Sequence, residues 1–366
     1  MTRPKILYPY STIRTEIPDH LPEFQQFLLD FEVIFYPIST QQHFIQALQS
    51  RFNDIQGLYA TEAMFELFPF RDLIPHFPET LRVFAYPWVG FNLWEPEMMK
   101  QKGIIMTNIG DAAAPDVADI ALQLTLSVFR FTPFIQEKLR TIAKFDQVQL
   151  YFGGSAVDSE GEPHKLGPND DASKRCTIGG KDVSSPRGKV AGIVGLGTIG
   201  KEIAIRLNAI GLKIKYHKRT PLADEELANF HFKLDYVSSV NELIPQVDLL
   251  VLAVPQTPET IDLINKDTIK LFRRGARIVN IGRGSAIDED VLLKALDDGT
   301  ITSFGADVLR NEPDMDPRFR DRFDVNILPH IGPFTNENFA ISNIRVIENF
   351  RNILLEGGKG LNVCGV

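Results

Sequence analysis

Three short segments each close an apolar, β-branched run and carry polar residues at its tip. IVNIGRGSAIDEDVL sets Arg283 between two glycines, SFGADVLRNEP carries Asp307 and Glu312, and NILPHIGPFT holds His330 behind Pro329. Arg, Glu and His are the residue types that reduction of a 2-keto acid requires. A guanidinium offers a planar pair of donors to the carboxylate and the carbonyl oxygen. An imidazole delivers a proton as hydride reaches the carbonyl carbon. A carboxylate beside that imidazole orients the ring and favours its charged form. Singly, an Arg after a strand is a common surface charge and a Pro-flanked His a common turn residue. Three such residues at successive strand ends are a different matter, because strand C-termini of a doubly wound sheet converge on one crevice.

A second constellation lies upstream. KVAGIVGLGTIGKEIAIRLNAIG contains Gly195-x-Gly197-x-x-Gly200, with Thr198 and Ile199 inside the turn. A buried-strand pattern (Val190, Ile193, Val194) precedes it, and an apolar helical stripe (Ile199, Ile203, Leu207, Ile210) follows. LKIKYHK then supplies a second strand and completes the βαβ unit that gives the motif its meaning. Gly195 permits the tight turn, Gly197 lets a pyrophosphate approach the backbone, and Gly200 lets helix and strand pack closely. The helix N-terminus offers N–H groups and partial positive charge to the phosphates.

An NAD site usually places an acid at the end of the second strand, to bond both ribose hydroxyls. Here that slot holds Lys218, Arg219 and Thr220. A carboxylate would repel a 2′-phosphate, whereas a Lys–Arg pair attracts one and Arg fits it with a planar fork. NADPH (NADP) is therefore the expected cofactor, with NAD as the second candidate and Arg219 as the main 2′-phosphate contact.

The elements that must position these residues alternate almost throughout, strand then helix, which predicts an α/β protein with parallel sheets. Strand candidates in the first third are KILYPY, VIFYPI, IQGLYAT, LRVFAYP and GIIMTNI; from Lys189 on they are KVAGIVG, LKIKYHK, DLLVLAV, ARIVNIG, SFGADVL and DVNILPHI. A long apolar helical stretch runs from Pro115 to about Arg140, with Pro133 expected to kink or break it. The segment near 153–185, rich in Gly, Pro, Ser and Asp, reads as a polar surface excursion. A last helix is predicted from Asn336 to Leu355.

With 366 residues, 44% hydrophobic and 23% charged, the chain has enough material for two cores. Its net charge of −8 argues against nucleic acid or an anionic membrane as main partner. Two cysteines in no metal-ligand spacing, with no visible secretory signal or membrane span, point to a reducing compartment, the cytoplasm, and to no bound metal.

Taken together, GLGTIG, VNIGRGSAIDEDVL, GADVLRNEP and LPHIG resemble the signatures of the D-isomer-specific 2-hydroxyacid dehydrogenases, in that family's order, from about Leu81 to Thr335. The resemblance implies two doubly wound parallel-sheet domains. A Rossmann nucleotide domain would occupy 117–335, and a flavodoxin-like substrate domain would be split across both chain ends, 1–116 plus 336–366. It implies Arg283, Glu312 and His330 as the catalytic residues. In AVPQTPET, Val254, Pro255 and Thr260 would line the cofactor. Ile281 and Asp307 would flank the nicotinamide, Asp307 bonding its carboxamide, and Gly332 of LPHIG joins the cofactor set. The backbone N–H groups of Val89 and Gly90 in YPWVGFN would hold the substrate carboxylate together with Arg283. A homodimer is implied as well.

SSPRGKVAGIVGLGTIG is similar to fungal glyoxylate, hydroxypyruvate and mandelate-type reductases of the family. Two departures bear on the substrate: Trp88 stands where another glycine is often found, and Asn92 where an Asp is. The expected reaction is reduction of a small 2-keto acid (glyoxylate, hydroxypyruvate or similar) to a D-2-hydroxy acid by hydride from NADPH. The competing expectation is a dinucleotide-sensing binding protein or corepressor on the same fold, which would tolerate loss of the Arg–Glu–His set. A formate enzyme is disfavoured, because such enzymes replace the Glu–His pair.

Overall fold

The computed structural model describes residues 3–11, 17–151, 155–157, 163–165 and 176–364. The chain divides into two compact units, residues 1–113 with 333–366 and residues 114–332.

The first unit is built on five parallel strands: β1 (Lys5–Tyr10), β2 (Glu32–Pro37), β3 (Gly57–Tyr59), β4 (Val83–Ala85) and β5 (Ile105–Thr107). Their order is β2-β1-β3-β4-β5. The chain winds one way to β2 and the other way from β3, so the direction reverses between β1 and β3. At such a switch point the loops leave in opposite directions and open a crevice above the strand C-termini. On one face Leu7, Leu58 and Phe84 pack with Phe44 and Leu48 of the helix Gln41–Ser50. On the other, Tyr59 stacks on Phe350 of the helix Asn336–Leu354, 5.8 Å between ring centroids. Gly57 makes room for that contact, since a Cβ there would lie 2.7 Å from the Phe350 ring. The C-terminal helix thus belongs to this unit through its apolar face, and Thr335 caps it by accepting the Asn338 N–H.

The second unit opens with the helix Ala114–Arg130 and a second helix, Thr132–Ile142. The break between them falls at Phe131, whose φ of 52° is left-handed. Pro133 sits in the first turn of the second helix, where its missing N–H has no partner to lose. Of the polar excursion, β6 (Ser155–Val157) pairs antiparallel with β7 (Pro163–Lys165) and β8 (Thr177–Ile178) with β9 (Lys181–Asp182). The rest of that expectation, at 153–154, 158–162 and 166–175, lies outside the described residues.

Seven parallel strands follow: β10 (Val190–Val194), β11 (Lys213–His217), β12 (Leu234–Tyr236), β13 (Leu249–Leu252), β14 (Ala276–Asn280), β15 (Ile301–Ala306) and β16 (Val325–Ile327). The sheet order is β12-β11-β10-β13-β14-β15-β16. Every residue of β13, β14 and β15 is buried, as strands covered on both faces require. Strand β12 was not among the sequence candidates. It is a three-residue edge strand, LDY, too short for an alternating or apolar pattern to register. Among the described residues no helix is long and apolar enough to cross a membrane.

Candidate active site

The reversal of strand order in the second unit lies between β10 and β13, and the sequence-predicted residues of this unit follow the C-terminal ends of its strands. Gly195 follows β10 with φ 93°, and a Cβ on it would lie 2.5 Å from the Ala253 carbonyl. Gly200, in the first turn of the helix Thr198–Ala209, leaves no room either: its Cβ would sit 2.2 Å from the Gly195 oxygen. Gly197 differs. It is the N-cap, and a Cβ there would meet nothing within 4 Å among the described residues. Two glycines are thus demanded by the fold, while the third faces open space above a helix end whose cap provides no side chain. Those features fit a pyrophosphate lying on the N–H groups of Thr198 and Ile199.

Lys218, Arg219 and Thr220 follow β11, with Arg219 and Thr220 exposed. Glu259 feels the Arg219 charge, after larger contributions from its own hydrogen bonds, and its carboxyl is held below the usual range. Val254 and Pro255 follow β13. The Thr260 hydroxyl donates to the Pro255 carbonyl at 2.7 Å and accepts the Thr257 N–H at 2.8 Å. It therefore shapes this loop from within. Ile281 follows β14 and is buried.

Arg283 sits next, and both neighbours must be glycine. A Cβ on Gly282 would lie 2.6 Å from the Val254 oxygen, and one on Gly284 would lie 1.9 Å from the Leu309 carbonyl carbon. The buried side chain of Asn280 fixes the turn, donating to the Arg283 carbonyl at 2.9 Å and accepting the Gly282 N–H at 3.1 Å. Burial lowers the Arg283 pKa, with the charge of Glu312 acting against it.

Glu312 accepts the Leu309 N–H on Oε1 at 2.8 Å and faces His330 Nδ1 with Oε2 at 2.9 Å. Burial pushes its pKa up, but the hydrogen bonds from His330 and Leu309 and the nearby charges of His330 and Arg283 bring it below the usual value. An ionised carboxylate only accepts, so His330 Nδ1 carries the proton of that bond. His330 itself has φ 55°, a left-handed backbone unusual for a non-glycine residue. Asp307, after β15, holds that backbone. Its two carboxylate oxygens accept the N–H groups of Ile331 and Gly332, each at 2.8 Å. Burial raises the Asp307 pKa, and these two N–H groups oppose the rise. Gly332 is needed at that contact, since a Cβ would lie 2.9 Å from Asp307 Oδ2.

Arg310 ties the Glu312 loop to the Arg283 turn, donating to the carbonyls of Ser285 at 3.0 Å and Ile287 at 2.8 Å and pairing with Asp262. Asn280 and Arg310 were not singled out from the sequence. The available signal was a polar residue ending an apolar strand, and a cation two places before the acid. The structure brings Arg283, Glu312 and His330 together within one unit. Val89 and Gly90 lie in the other, after β4, where the Val89 carbonyl accepts from Asn108 Nδ2 at 2.8 Å.

Comparison with known proteins decides the family. The family described as D-isomer specific 2-hydroxyacid dehydrogenase, NAD binding domain, matches residues 171–332. A Saccharomyces cerevisiae protein assigned to the 2-hydroxyacid dehydrogenases is 33% identical over 98% of this chain and 95% of its own length. This chain belongs to the D-isomer-specific 2-hydroxyacid dehydrogenases. Among solved structures, the D-mandelate dehydrogenase of Rhodotorula graminis is similar with a TM-score of 0.84 and 29% identity, over 100% of this chain and 98% of that one. The NADPH-dependent glyoxylate/hydroxypyruvate reductase of Sinorhizobium meliloti, solved with NADP and malonate, matches with a TM-score of 0.73 and 27% identity, over 99% and 97% of the two chains. As in other members of the family, the second unit is a Rossmann dinucleotide-binding domain and the protein is an oxidoreductase with a nicotinamide cofactor.

Proposed function

We propose that this dehydrogenase reduces 2-keto acids to D-2-hydroxy acids with NADPH as the preferred hydride donor. The observation that carries the proposal is the His330–Glu312 pair, 2.9 Å apart, with Arg283 at the neighbouring strand end. The glycine turn would hold the dinucleotide through its pyrophosphate, and the reduced nicotinamide would supply the hydride. The protein's own residues supply the rest. With Nδ1–H committed to Glu312, His330 holds a transferable proton on Nε2 only when the ring is cationic, and the Glu312 carboxylate orients the ring. As negative charge develops on the substrate carbonyl oxygen, Nε2 donates its proton there and the ring becomes neutral. Arg283 bonds the carboxylate and the same oxygen, its guanidinium strengthened as an electrostatic partner by partial removal from water. Val89 and Gly90 are assigned the carboxylate through their backbone N–H groups. Arg219, aided by Lys218 and Thr220, is assigned the 2′-phosphate, a reading supported by the NADPH-dependent relative. Action in the cytoplasm as a homodimer completes the proposal.

Purified protein should oxidise NADPH faster than NADH at limiting cofactor with glyoxylate, hydroxypyruvate or phenylglyoxylate. Equal or better use of NADH removes Arg219 from the assignment. His330→Asn should lose most turnover and keep its affinity for NADPH; unchanged turnover would take His330 out of the mechanism.

A further inference from the structure

Three consecutive strand-end loops of the second unit carry candidate residues: the loop after β13, the Arg283 turn after β14 and the Glu312 loop after β15. Arg310 lies in the third and reaches the other two. Its Nε donates to the Ile287 carbonyl at 3.1 Å. Its Nη2 donates to the same carbonyl at 2.8 Å and to the Ser285 carbonyl at 3.0 Å, and pairs with Asp262 of the loop after β13. The Arg310 backbone is fixed as well, because its N–H donates to Oε1 of buried Glu289 at 2.9 Å.

The loop after β13 closes the clasp from its own side. Asp262, with φ 51°, gives its N–H to the Ser285 carbonyl at 2.9 Å. Ile264 donates to the Ala286 carbonyl at 2.9 Å, and Asp288 donates to the Ile264 carbonyl at 2.8 Å. The Ser285 carbonyl thus accepts one donor from this loop and one from Arg310.

These bonds end directly on the groups that hold Arg283 and Glu312. The Leu309 N–H donates to Glu312 Oε1, and the next N–H, of Arg310, goes to Glu289. Gly284 lies against the same peptide: a Cβ on it would sit 1.9 Å from the Leu309 carbonyl carbon and 2.3 Å from the Arg310 nitrogen. Packing this close leaves no slack, so a shift of the 309–310 peptide moves the turn after Arg283 and the donor to Glu312 together. The Arg310–Asp262 pair is partly open to solvent, with side chains 30% and 48% exposed. A pair of that exposure adds little to stability, so its effect falls on placement.

We propose that Arg310 is a positioning residue that joins the loop after β13, the Arg283 turn and the Glu312 loop into one arrangement and so aims Arg283 and Glu312. The role rests on the reductase reading above and acts through those residues.

Arg310→Met keeps the stem and removes the guanidinium. With NADPH and glyoxylate, hydroxypyruvate or phenylglyoxylate, kcat should fall by ~10- to 100-fold. The Kd for NADPH, titrated on the full chain, should change by less than about 3-fold, the split expected when orientation and not binding is lost. Asp262→Asn should lower kcat by about 3- to 10-fold and add nothing in the double variant, because both changes open one clasp. Wild-type kcat in Arg310→Met, a loss that tracks the unfolded fraction in urea, or additive losses in the double variant would overturn the role. Should Arg310→Met fail to fold, Asp262→Asn decides, and wild-type kcat there overturns it. If the wild-type chain reduces no keto acid, the reductase reading fails, and amide hydrogen exchange of Asp262→Asn decides the clasp. Faster exchange in 281–287 and 308–312 together supports it; unchanged exchange overturns it.

Discussion

Asp307→Asn separates the placement of His330 from the stability of the fold. Asp307 is 3% exposed, and each of its oxygens accepts one N–H, from Ile331 and from Gly332, at 2.8 Å. Asparagine keeps one acceptor and turns an NH₂ toward the other N–H. A buried donor left facing a donor costs about 1–3 kcal/mol. An opposing effect is also present. The Asp307 pKa is raised because burial outweighs the two N–H bonds. A carboxyl whose folded pKa lies above its unfolded value favours folding in its neutral form, so its ionised form weakens the fold above the unfolded pKa. The neutral isostere removes that penalty, leaving a net loss that should not exceed about 2 kcal/mol.

Turnover should respond much more. The φ of 55° at His330 is a strained backbone of order 1–3 kcal/mol, and the Asp307 bonds to the next two residues hold it. With half of that tether gone the loop relaxes, and a displacement of the proton donor of about 1 Å costs on the order of 100-fold in rate. Steady-state NADPH oxidation with a 2-keto acid gives kcat, and urea denaturation gives stability. A kcat loss near 100-fold with a small shift in the urea midpoint is expected. Wild-type kcat in Asp307→Asn, or a loss of activity that only follows unfolding, would refute the positioning role.

Four further outcomes follow from the same geometry. Arg219→Ala should lower kcat/KM for NADPH by ~10- to 150-fold, the worth of a charge-assisted hydrogen bond, and leave NADH unchanged; a parallel fall with both cofactors would count against a 2′-phosphate contact. Gly200→Ala places a Cβ 2.2 Å from a backbone oxygen and should reduce stability by about 1–3 kcal/mol or more, read as a lower Tm. Gly197→Ala meets no neighbour within 4 Å among the described residues, so it should keep its Tm while weakening NADPH binding in a titration. The Glu312 pKa is depressed, so its contribution to stability is complete above the unfolded value and is lost as pH falls through the folded one. Between pH of about 5 and 3 the urea midpoint of wild type should therefore fall more steeply than that of Glu312→Gln; identical slopes would show that the Glu312–His330 bond adds nothing to folding.

What the sequence determined by itself is the order of strands and helices and the identity of the reacting groups. The five strands of the first sheet and six of the seven in the second were legible because each is an apolar run between turn residues. LDY at β12 was not, being short and at an edge. Gly195, Gly197 and Gly200 were legible as a set, but the different reason for each came only from their neighbours: a left-handed turn, an open space and a backbone contact.

Sequence spacing also brought Arg283, Glu312 and His330 to notice, because strand ends of a parallel sheet share one edge. Tertiary structure alone decided which groups hold them. Asp307, expected at a carboxamide, also accepts two backbone N–H groups beside His330, one on each oxygen. Asn280 and Arg310 fasten the Arg283 turn through carbonyl oxygens that no residue pattern encodes. The last helix was predicted from its apolar stripe, yet its place against Tyr59 depends on residues nearly three hundred positions away in the chain. Local sequence fixes the chemistry each strand end can present; contacts between distant segments fix how tightly each group is aimed.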